Sequence, residues 1–302
     1  MASERPTHTR TISTNLGGVN SRILEGKLAI ITGASRGIGE AIAHNLASKG
    51  ANLILNYTSD SSSKATSDLS SLLTECYSVT CLAVQADMGL PTGPAHLIAT
   101  AKNRFSHPKT GAFQIDILIN NAGVSKNLTI AECTISDFEW QYKINVLGPL
   151  LLVQAALPYL PHDRSGRIVN LSSVSSSQGF IGQSVYGGTK AALEAMTRTW
   201  SRELAERATV NAINPGPVKT DMWAGTTPGF KKNLRPFIQQ TPGSAVRPEV
   251  DDEDLVADAE NAGGRPAYTG EIAGVVGMLC TADSLWCTGQ VVCANGGMRM
   301  AM

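Results

Sequence analysis

The sequence of 302 residues can bury a large core, either as one large domain or as two small ones. Hydrophobic residues make up 42% of the chain and charged residues 17%, which excludes a disordered or fibrous protein. The 25 basic and 25 acidic residues balance, and no apolar run approaches the roughly 20 residues that span a bilayer. We therefore expect neither nucleic acid nor a membrane as a partner.

The first residues of the chain are polar and rich in Ser, Thr and Arg, without the apolar stretch of a signal peptide. This predicts a flexible N-terminal arm over residues 1–24 and a single domain over residues 25–302, with an organellar presequence as the alternative. The six cysteines form no Cys-x-x-Cys pair and have no neighbouring histidine. That pattern is typical of reduced thiols in a reducing compartment, so we expect a cytoplasmic protein without a metal site.

Short β-branched runs alternate with helical patterns from Lys27 onward, which is typical of a parallel sheet flanked by helices. The predicted strands cover residues 28–32, 52–56, 81–85, 115–120, 166–170, 210–213 and 290–293. The predicted helices cover residues 39–49, 62–75, 92–105, 136–159, 184–207 and 270–280. This order predicts an α/β fold: a single doubly wound Rossmann-type domain, whose seven-stranded parallel sheet carries helices on both faces.

Residues 221–265 interrupt the alternation with several prolines and the aromatic residues Trp223, Phe230 and Phe237. A long insertion between such elements is often functional, and we expect it to form a lid over the substrate. The acidic run at residues 251–254 is interpreted as the solvated start of a helix. The aromatic residues would suit an apolar substrate, or they simply pack.

A glycine-rich turn joins the first predicted strand to the first predicted helix. Glycines let the backbone approach a pyrophosphate, and a helix N-terminus supplies N–H donors to it. The order of strand, turn and helix therefore predicts a dinucleotide site. Its expected contacts are Gly33, Ser35, Arg36, Gly37, Ile38 and Gly39.

Tyr186 and Lys190 lie four residues apart in the predicted helix 184–207, so they share one helix face. A nearby cation favours phenolate and lowers a tyrosine pKa from its usual value of about 10. Such a tyrosine can exchange a proton with a carbonyl or an alcohol near neutral pH. Most isolated pairs of this kind lie on solvated helix faces, so the interpretation depends on the surrounding motifs.

The Thr-Gly-x-x-x-Gly-x-Gly spacing at residues 32–39 resembles that of the short-chain dehydrogenase/reductase family. Further motifs extend the resemblance over residues 25–297. They are Asp87 after the third strand, Asn120-Asn121-Ala122-Gly123 at the end of the fourth, Asn145 in the helix 136–159, Ser173 after the fifth strand, and Pro215-Gly216-Pro217-Val218-Lys219-Thr220 after the sixth.

The resemblance implies roles for these residues. In catalysis Tyr186 donates a proton, Ser173 polarises the carbonyl, Lys190 lowers the tyrosine pKa and binds the nicotinamide ribose, and Asn145 holds a water that links Lys190 to solvent. Asn145 could instead merely cap or bridge a helix. The implied cofactor contacts are Asp87 and Met88 at the adenine, Asn120, Asn121, Ala122 and Gly123 along the cleft, Tyr186 and Lys190, and Pro215, Gly216, Val218 and Thr220 at the nicotinamide.

The choice of nicotinamide cofactor depends on charge at the end of the second strand, where an acidic residue would bind the ribose 2′-OH of NAD. Tyr57 occupies the comparable position, and Thr58 and Ser59 follow it. Arg36 can pair with a 2′-phosphate. Asp60 is the one contrary sign, a residue or two too late. The sequence therefore predicts NADP(H).

The resemblance implies an NADP(H)-dependent oxidoreductase that reduces a ketone to a secondary alcohol by hydride transfer. Residues 56–62 and 294–300 resemble fungal 3-oxoacyl-reductase-like members, which implies a small-molecule substrate such as a polyketide, terpenoid or other specialised-metabolite ketone. Three alternatives stay open: oxidation of an alcohol, non-redox catalysis such as cyclisation, and a cofactor-binding scaffold or sensor. The resemblance also implies a homo-oligomer, a tetramer or dimer. Gly188 and Thr189 replace a common Ala-Ser pair, which we expect to change the chemistry little.

Overall fold

Seven parallel strands form one sheet in the order β3-β2-β1-β4-β5-β6-β7. The computed structural model describes residues 22–300. The strands are β1 (Leu28–Ile31), β2 (Asn52–Tyr57), β3 (Cys81–Gln85), β4 (Ile117–Asn120), β5 (Gly166–Leu171), β6 (Ala208–Ile213) and β7 (Val291–Val292). The predicted doubly wound Rossmann-type sheet is confirmed.

Helices cover the sheet and the long insertion. They are α1 (Gly37–Ser48), α2 (Ser63–Tyr77), α3 (Gly93–Phe105), α4 (Ile135–Tyr142), α5 (Gly148–Ala156), α6 (Ser175–Gln178), α7 (Ser184–Glu203), α8 (Asp221–Ala224), α9 (Pro228–Gln239), α10 (Glu253–Ala262) and α11 (Thr269–Leu279). Within residues 22–300, none of them is long and apolar enough to cross a membrane.

The sheet separates two hydrophobic cores, because successive residues along a strand point to opposite faces. Ala29 and Ile31 of β1 belong to the core formed with α1, α2 and α11. Leu28 and Ile30 of the same strand belong to the core formed with α3, α5 and α7. Helices therefore lie on both faces, as the sequence predicts.

The predicted helix 136–159 is not continuous. A π-helical turn, Lys143–Leu147, separates α4 from α5, and a 3-10 turn, Leu157–Tyr159, follows α5. In the π turn the N–H of Gly148 bonds to the carbonyl of Lys143, five residues back. Pro149 has no N–H, so the α-helical bond to the carbonyl of Asn145 cannot form. The wide turn is thus centred on a predicted site residue.

The insertion at residues 221–265 contains α8 and α9, helices that the sequence did not predict, and α10, which begins at Glu253 within the acidic run as expected. The solvated interpretation of the acidic run is confirmed for Asp252 and Asp254, whose side chains are more than half exposed. It is wrong for Asp251, whose carboxylate is buried 3.3 Å from Nε of Arg265. Arg265 also binds Glu271 of α11 at 2.8 Å, which joins the end of the insertion to the sheet-covering helices.

The predicted N-terminal arm ends earlier than residue 24. Arg22 donates a hydrogen bond to the carbonyl of Tyr77 at 2.6 Å. Leu24 is buried, and its N–H bonds to the carbonyl of Lys49 at 2.8 Å. Residues 22–24 are therefore part of the domain, while the rest of the predicted arm, residues 1–21, lies outside the described residues.

Candidate active site

The predicted site residues collect at the carboxyl ends of the strands. The glycine-rich turn follows β1, residues 57–59 end or follow β2, residues 120–123 end or follow β4, and Ser173 follows β5. The sheet order reverses between β1 and β4. Ligands of doubly wound sheets bind in the crevice at such a reversal.

The glycine turn has the shape of a phosphate cradle. Gly33 and Gly37 have φ of +62° and +61°, which side chains rarely adopt. A Cβ at Gly39 would lie 2.2 Å from the carbonyl oxygen of Gly33. Helix α1 begins at Gly37, and the side chain of its N-cap residue Arg36 makes no capping hydrogen bond. Its first N–H groups are thus left for an anion, and the turn fits a dinucleotide pyrophosphate.

Three polar side chains hold this turn in place. Asn121 Nδ2 donates to the carbonyls of Thr32 and Gly33 at 2.8 and 3.1 Å. Thr32 Oγ1 accepts from the N–H groups of Asn121 and Ala122, both at 3.0 Å. Asn56 Oδ1 accepts from the N–H of Gly33 at 3.3 Å. Sequence reasoning missed Thr32 and Asn56, although a polar residue ending an otherwise apolar strand was a usable signal.

The end of β2 fits a 2′-phosphate better than a 2′-hydroxyl. Tyr57 is the last residue of β2, and exposed Thr58 and Ser59 follow it. The carboxylate of Asp60 accepts a hydrogen bond from Gln85 at 2.8 Å. Arg36 on the glycine turn has an exposed guanidinium. A cation at this end of the cleft can bind a phosphate dianion.

Arg36 also connects the glycine turn to the insertion. Its Nε lies 3.3 Å from a carboxylate oxygen of Asp221, the first residue of α8. A Cβ at Gly37 would lie 3.3 Å from Cγ2 of Thr220, the N-cap residue of α8. The segment after β6 therefore faces the glycine turn across the cleft, as its predicted cofactor contact requires.

The remaining predicted cofactor contacts, Asp87, Met88, Pro215, Gly216 and Val218, differ in whether their side chains are accessible. Asp87 follows β3, and its carboxylate accepts from the N–H of Gly89 at 2.8 Å. The side chains of Met88 and Val218 are buried in the two cores, so a cofactor could meet only their backbone. Pro215 accepts a hydrogen bond from the N–H of Val174 at 3.0 Å, which joins the segment after β6, including Gly216, to the turn that carries Ser173.

Tyr186 and Lys190 lie in the first two turns of α7, beside the end of β5. Lys190 Nζ lies 5.7 Å from the centre of the Tyr186 ring and donates to the carbonyl of Leu171 at 2.7 Å. Ser173 Oγ donates to Ser175 Oγ at 3.1 Å and accepts from the N–H of Ser175 at 3.2 Å. The structure thus brings the serine, tyrosine and lysine to one end of the sheet.

Gly123 shows how closely the remaining loop approaches this group. A Cβ at Gly123 would lie 3.3 Å from Lys190 Nζ and 3.4 Å from Asn145 Oδ1. The loop at residues 120–123 therefore runs from beneath the glycine turn to Lys190. At its start Asn120 Nδ2 donates to Asn170 Oδ1 at 2.8 Å, a bond that ties β4 to β5.

Burial controls the ionisation of both helical residues. It raises the pKa of the Tyr186 phenol, and the nearby Ser173 hydroxyl offsets only part of that rise. Burial also lowers the pKa of Lys190 to about 8, against the opposing charge of Glu194. The predicted lowering of the tyrosine pKa is therefore wrong, because the desolvation of the buried phenol is the dominant effect. At neutral pH Tyr186 is a phenol and has a proton to give.

The side chain of Asn145 makes three hydrogen bonds to protein partners, which use both of its N–H donors and one of the two acceptor positions on Oδ1. Its Oδ1 accepts from the N–H of Val124 at 2.9 Å, and its Nδ2 donates to the carbonyl of Val124 at 2.8 Å and to Thr189 Oγ1 at 3.0 Å. This supports the alternative that Asn145 bridges elements, here the loop after β4 and α7. The atom of Asn145 that lacks its α-helical partner is the main-chain carbonyl opposite Pro149.

Gly188 and Thr189, which replace a common Ala-Ser pair, both affect the structure around Tyr186. Thr189 Oγ1 donates to the carbonyl of Tyr186 at 2.7 Å while accepting from Asn145. A Cβ at Gly188 would lie 2.9 Å from the Tyr142 hydroxyl, so the glycine makes room for that ring. The pair therefore sets how α4 and α7 pack beside Tyr186.

The fold and the site together define a class of protein: an α/β oxidoreductase with a dinucleotide cleft and a tyrosine one helical turn from a lysine. The family model described as short chain dehydrogenase matches residues 27–229. The chain belongs to the short chain dehydrogenase family, which confirms the resemblance noted from the motifs.

Two known fungal proteins are similar over nearly the whole chain. An L-xylulose reductase of Aspergillus niger is 56% identical over 298 residues, covering 92% of this chain and 99% of that protein. An L-xylo-3-hexulose reductase of Hypocrea jecorina is 49% identical over 302 residues, covering 93% of this chain and 99% of that protein. Both are named as reductases of keto sugars.

Solved structures with a similar fold contain nicotinamide cofactors. A blue fluorescent protein from a metagenomic library, in complex with NADPH, has a TM-score of 0.72 and 31% identity, covering 92% of this chain and 100% of that chain. An angucycline C-6 ketoreductase with bound NADP has a TM-score of 0.76 and 30% identity, covering 91% and 96%.

Proposed function

We propose that the protein is an NADPH-dependent reductase that converts the keto group of a ketose to a secondary alcohol. The observation that carries the proposal is the grouping of Ser173, Tyr186 and Lys190 at the end of β5, beside a glycine turn shaped for a dinucleotide. The substrate class is supported by the two fungal relatives. The NADP-bound neighbours and the exposed guanidinium of Arg36 support the cofactor.

NADPH, when bound, supplies the hydride. As negative charge grows on the substrate oxygen, Ser173 donates a hydrogen bond to it and Tyr186 transfers its phenolic proton. Lys190 stabilises the phenolate that this transfer leaves behind. A water on the main-chain carbonyl of Asn145, which has no α-helical N–H partner because residue 149 is proline, then completes the path from Lys190 to solvent that the sequence implied.

The cofactor contacts follow the cleft. We assign the pyrophosphate to the glycine turn and α1, and the 2′-phosphate to Arg36 with the hydroxyl groups of Thr58 and Ser59. Tyr57 and Asp87 border the adenosine, and the segment from Pro215 to Thr220 borders the nicotinamide. Each assignment follows from where the strand that precedes it ends.

We assign residues 221–265 as the lid over the substrate. Phe237 of α9 packs edge-to-face against Phe180, which lies in the loop between α6 and α7. The centres of the two rings are 5.0 Å apart. Lys219 holds Asp252 and Asp254 at 2.7 and 2.8 Å, which fastens α10 to the segment after β6. Both contacts join the insertion to elements that border the catalytic group.

A substrate panel tests the proposal. Wild-type protein is expected to oxidise NADPH with L-xylulose or L-xylo-3-hexulose, with a kcat/KM roughly tenfold or more above that for an apolar bicyclic ketone such as tetralone. The ketose hydroxyls, unlike an apolar ring, supply hydrogen bonds. Absorbance loss measures the rate, and the matching polyols with NADP+ measure the reverse direction.

Three outcomes contradict parts of this proposal. Turnover of tetralone without any ketose would favour the specialised-metabolite ketone that the motifs implied. Turnover only in the oxidising direction would favour an alcohol dehydrogenase. Tight NADPH binding without turnover of any carbonyl would favour a scaffold or non-redox role.

We also propose that the chain forms a homotetramer, since apolar side chains are exposed on two separate surfaces. One surface is on α4, where Ile135 is 80% exposed and Phe138 is 47% exposed. The other precedes β7, where Leu285 is half exposed and Trp286 fully exposed. Large apolar side chains that are exposed next to one another favour a protein interface. The six free thiols support a reducing, cytoplasmic location.

Replacing Trp286 by Ser is expected to convert the tetramer to a dimer, because it removes the largest apolar group of one surface and leaves the other intact. Light scattering after size exclusion measures the mass against the 31.8 kDa chain. Leu90→Ser, at an exposed leucine after β3, is the matched control and should leave the tetramer unchanged. A wild-type monomer, or an unchanged mass for W286S, would refute this assignment.

A further inference from the structure

One face of α7 is bonded to the end of β5 by side chains spaced about one turn apart: Lys190, Glu194 and Thr197. Lys190 Nζ donates to the carbonyl of Leu171 at 2.7 Å. Thr197 Oγ1 accepts from Asn170 Nδ2 at 2.8 Å. Glu194 lies between them, and the family motifs quoted above give it no role.

The Glu194 carboxylate accepts hydrogen bonds from both sides of the turn that carries Ser173, an arrangement called the clasp below. Its Oε1 accepts from Ser172 Oγ at 2.6 Å and from Ser176 Oγ at 2.7 Å. These two serines flank Ser173, whose own hydroxyl is bonded to Ser175. Hydrogen bonds to a carboxylate are short and strong, so Glu194 fixes both sides of the turn.

Glu194 also acts on Lys190 by its charge. Burial lowers the pKa of Lys190 to about 8, and the negative charge of Glu194, one turn away, opposes that shift. Tyr186 is neutral, and the nearby groups of β5 and α6 are a carbonyl and hydroxyls. The charged side chains on the other elements near α7 are paired with opposite charges or lie far from Lys190. Asp137 pairs with Lys126, and Glu139 pairs with Lys143. Arg167, at the start of β5, binds backbone carbonyls.

We propose that Glu194 is a positioning residue of the active site: its carboxylate holds the 172–176 turn that aims Ser173, and its charge keeps Lys190 in the ammonium form during reduction. The inference rests on the reductase function proposed above. Glu194 has two effects in this proposal: a geometric one on the turn and an electrostatic one on Lys190. Different substitutions remove them.

Glu194→Gln keeps a hydrogen-bond acceptor and removes the charge. Reduction needs the protonated form of Lys190, so kcat/KM of the wild type falls as the pH rises past about 8. In E194Q this fall is expected to move to lower pH by about 0.5 unit or more, the effect of a charge about 6 Å away screened as in water. At pH 6 kcat should approach that of the wild type, with the KM for the ketone unchanged.

Glu194→Ala removes the clasp as well, so its kcat is expected to fall at every pH while NADPH affinity stays near that of the wild type. Glu203→Gln, at an exposed glutamate at the end of the same helix, is the matched control and should leave the profile unchanged. A pH profile of E194Q that superimposes on that of the wild type would overturn the electrostatic effect, and an E194A no slower than E194Q at pH 6 would overturn the clasp.

A second readout needs no substrate. Carbon-13 NMR of labelled lysine follows the titration of Lys190 in the ligand-free protein, and its signal is assigned by its loss in Lys190→Met. We expect a lower midpoint in E194Q than in the wild type. Identical titration midpoints in E194Q and the wild type would overturn the electrostatic effect, whether or not any ketone is reduced. Failure to reduce a ketone would by itself count only against the proposed function.

Discussion

Replacing Tyr186 by Phe is expected to lower kcat for ketone reduction by about 10³-fold, within the range that a positioned general acid contributes. The phenylalanine ring fills the same half-buried space, but it has no proton to transfer. Ser173 and Lys190 stay in place, since neither depends on the Tyr186 hydroxyl for its bonds to Ser175 and Leu171. NADPH binding, measured by fluorescence titration, should therefore stay within about twofold of the wild type, a difference of under 1 kcal/mol.

Tyr142→Phe is the matched control for this substitution. The Tyr142 hydroxyl lies against Gly188 on the neighbouring part of α7, so the same atom is removed from a tyrosine close to the site. This variant should keep most of its activity. Retained turnover in Y186F, or an equal loss in both variants, would contradict the assignment of Tyr186 as proton donor.

Gly39→Ala is expected to weaken NADPH binding by about tenfold to a hundredfold, which corresponds to about 1–3 kcal/mol of strain. The added Cβ would lie 2.2 Å from the carbonyl oxygen of Gly33 and 2.7 Å from Asn121 Nδ2. Neither is the free end of a flexible chain, because Asn121 is itself bonded to the turn. The turn must move, and the phosphate cradle moves with it.

Isothermal titration with NADPH measures this loss, and a thermal scan should show a melting temperature lower by several degrees. Gly274→Ala is the control, because a Cβ there meets nothing within 4 Å on the exposed side of α11. Alanine should be neutral or slightly stabilising at that position. Equal NADPH affinities of G39A and the wild type would show that the turn is not the cofactor cradle.

The five inner strands, β1, β2, β4, β5 and β6, were predictable because each is a short, largely apolar run that is buried on both faces, and this composition is local to the sequence. The proposed catalytic group could be assembled from the sequence because the spacings between its members match those of the family. Helices α8 and α9 of the insertion were missed because the prolines there suggest loops. Pro228 lies in the first turn of α9, where proline is favourable, and Pro236 lies inside the same helix.

The ionisation of the site could not be predicted in the same way. The sequence places Lys190 one turn from Tyr186 and predicts a lowered tyrosine pKa, but burial depends on elements far apart in the chain. Glu194 was overlooked for the same reason, since its partners Ser172 and Ser176 come from the turn after β5. The π turn did leave a signal, a proline four residues after Asn145.

The hydrogen bonds that join the glycine turn to the side chains of Asn56 and Asn121 bear on the entropy of cofactor binding, as does the Thr32 hydroxyl, which accepts from the N–H of Asn121 and so fixes that residue. Fixing the backbone of one free residue costs about 1–2 kcal/mol, and most for glycine. Here the turn is already ordered by the protein's own side chains, so that cost falls on folding and not on association. A segment whose composition is that of a flexible linker therefore behaves as a rigid, preorganised surface toward the pyrophosphate.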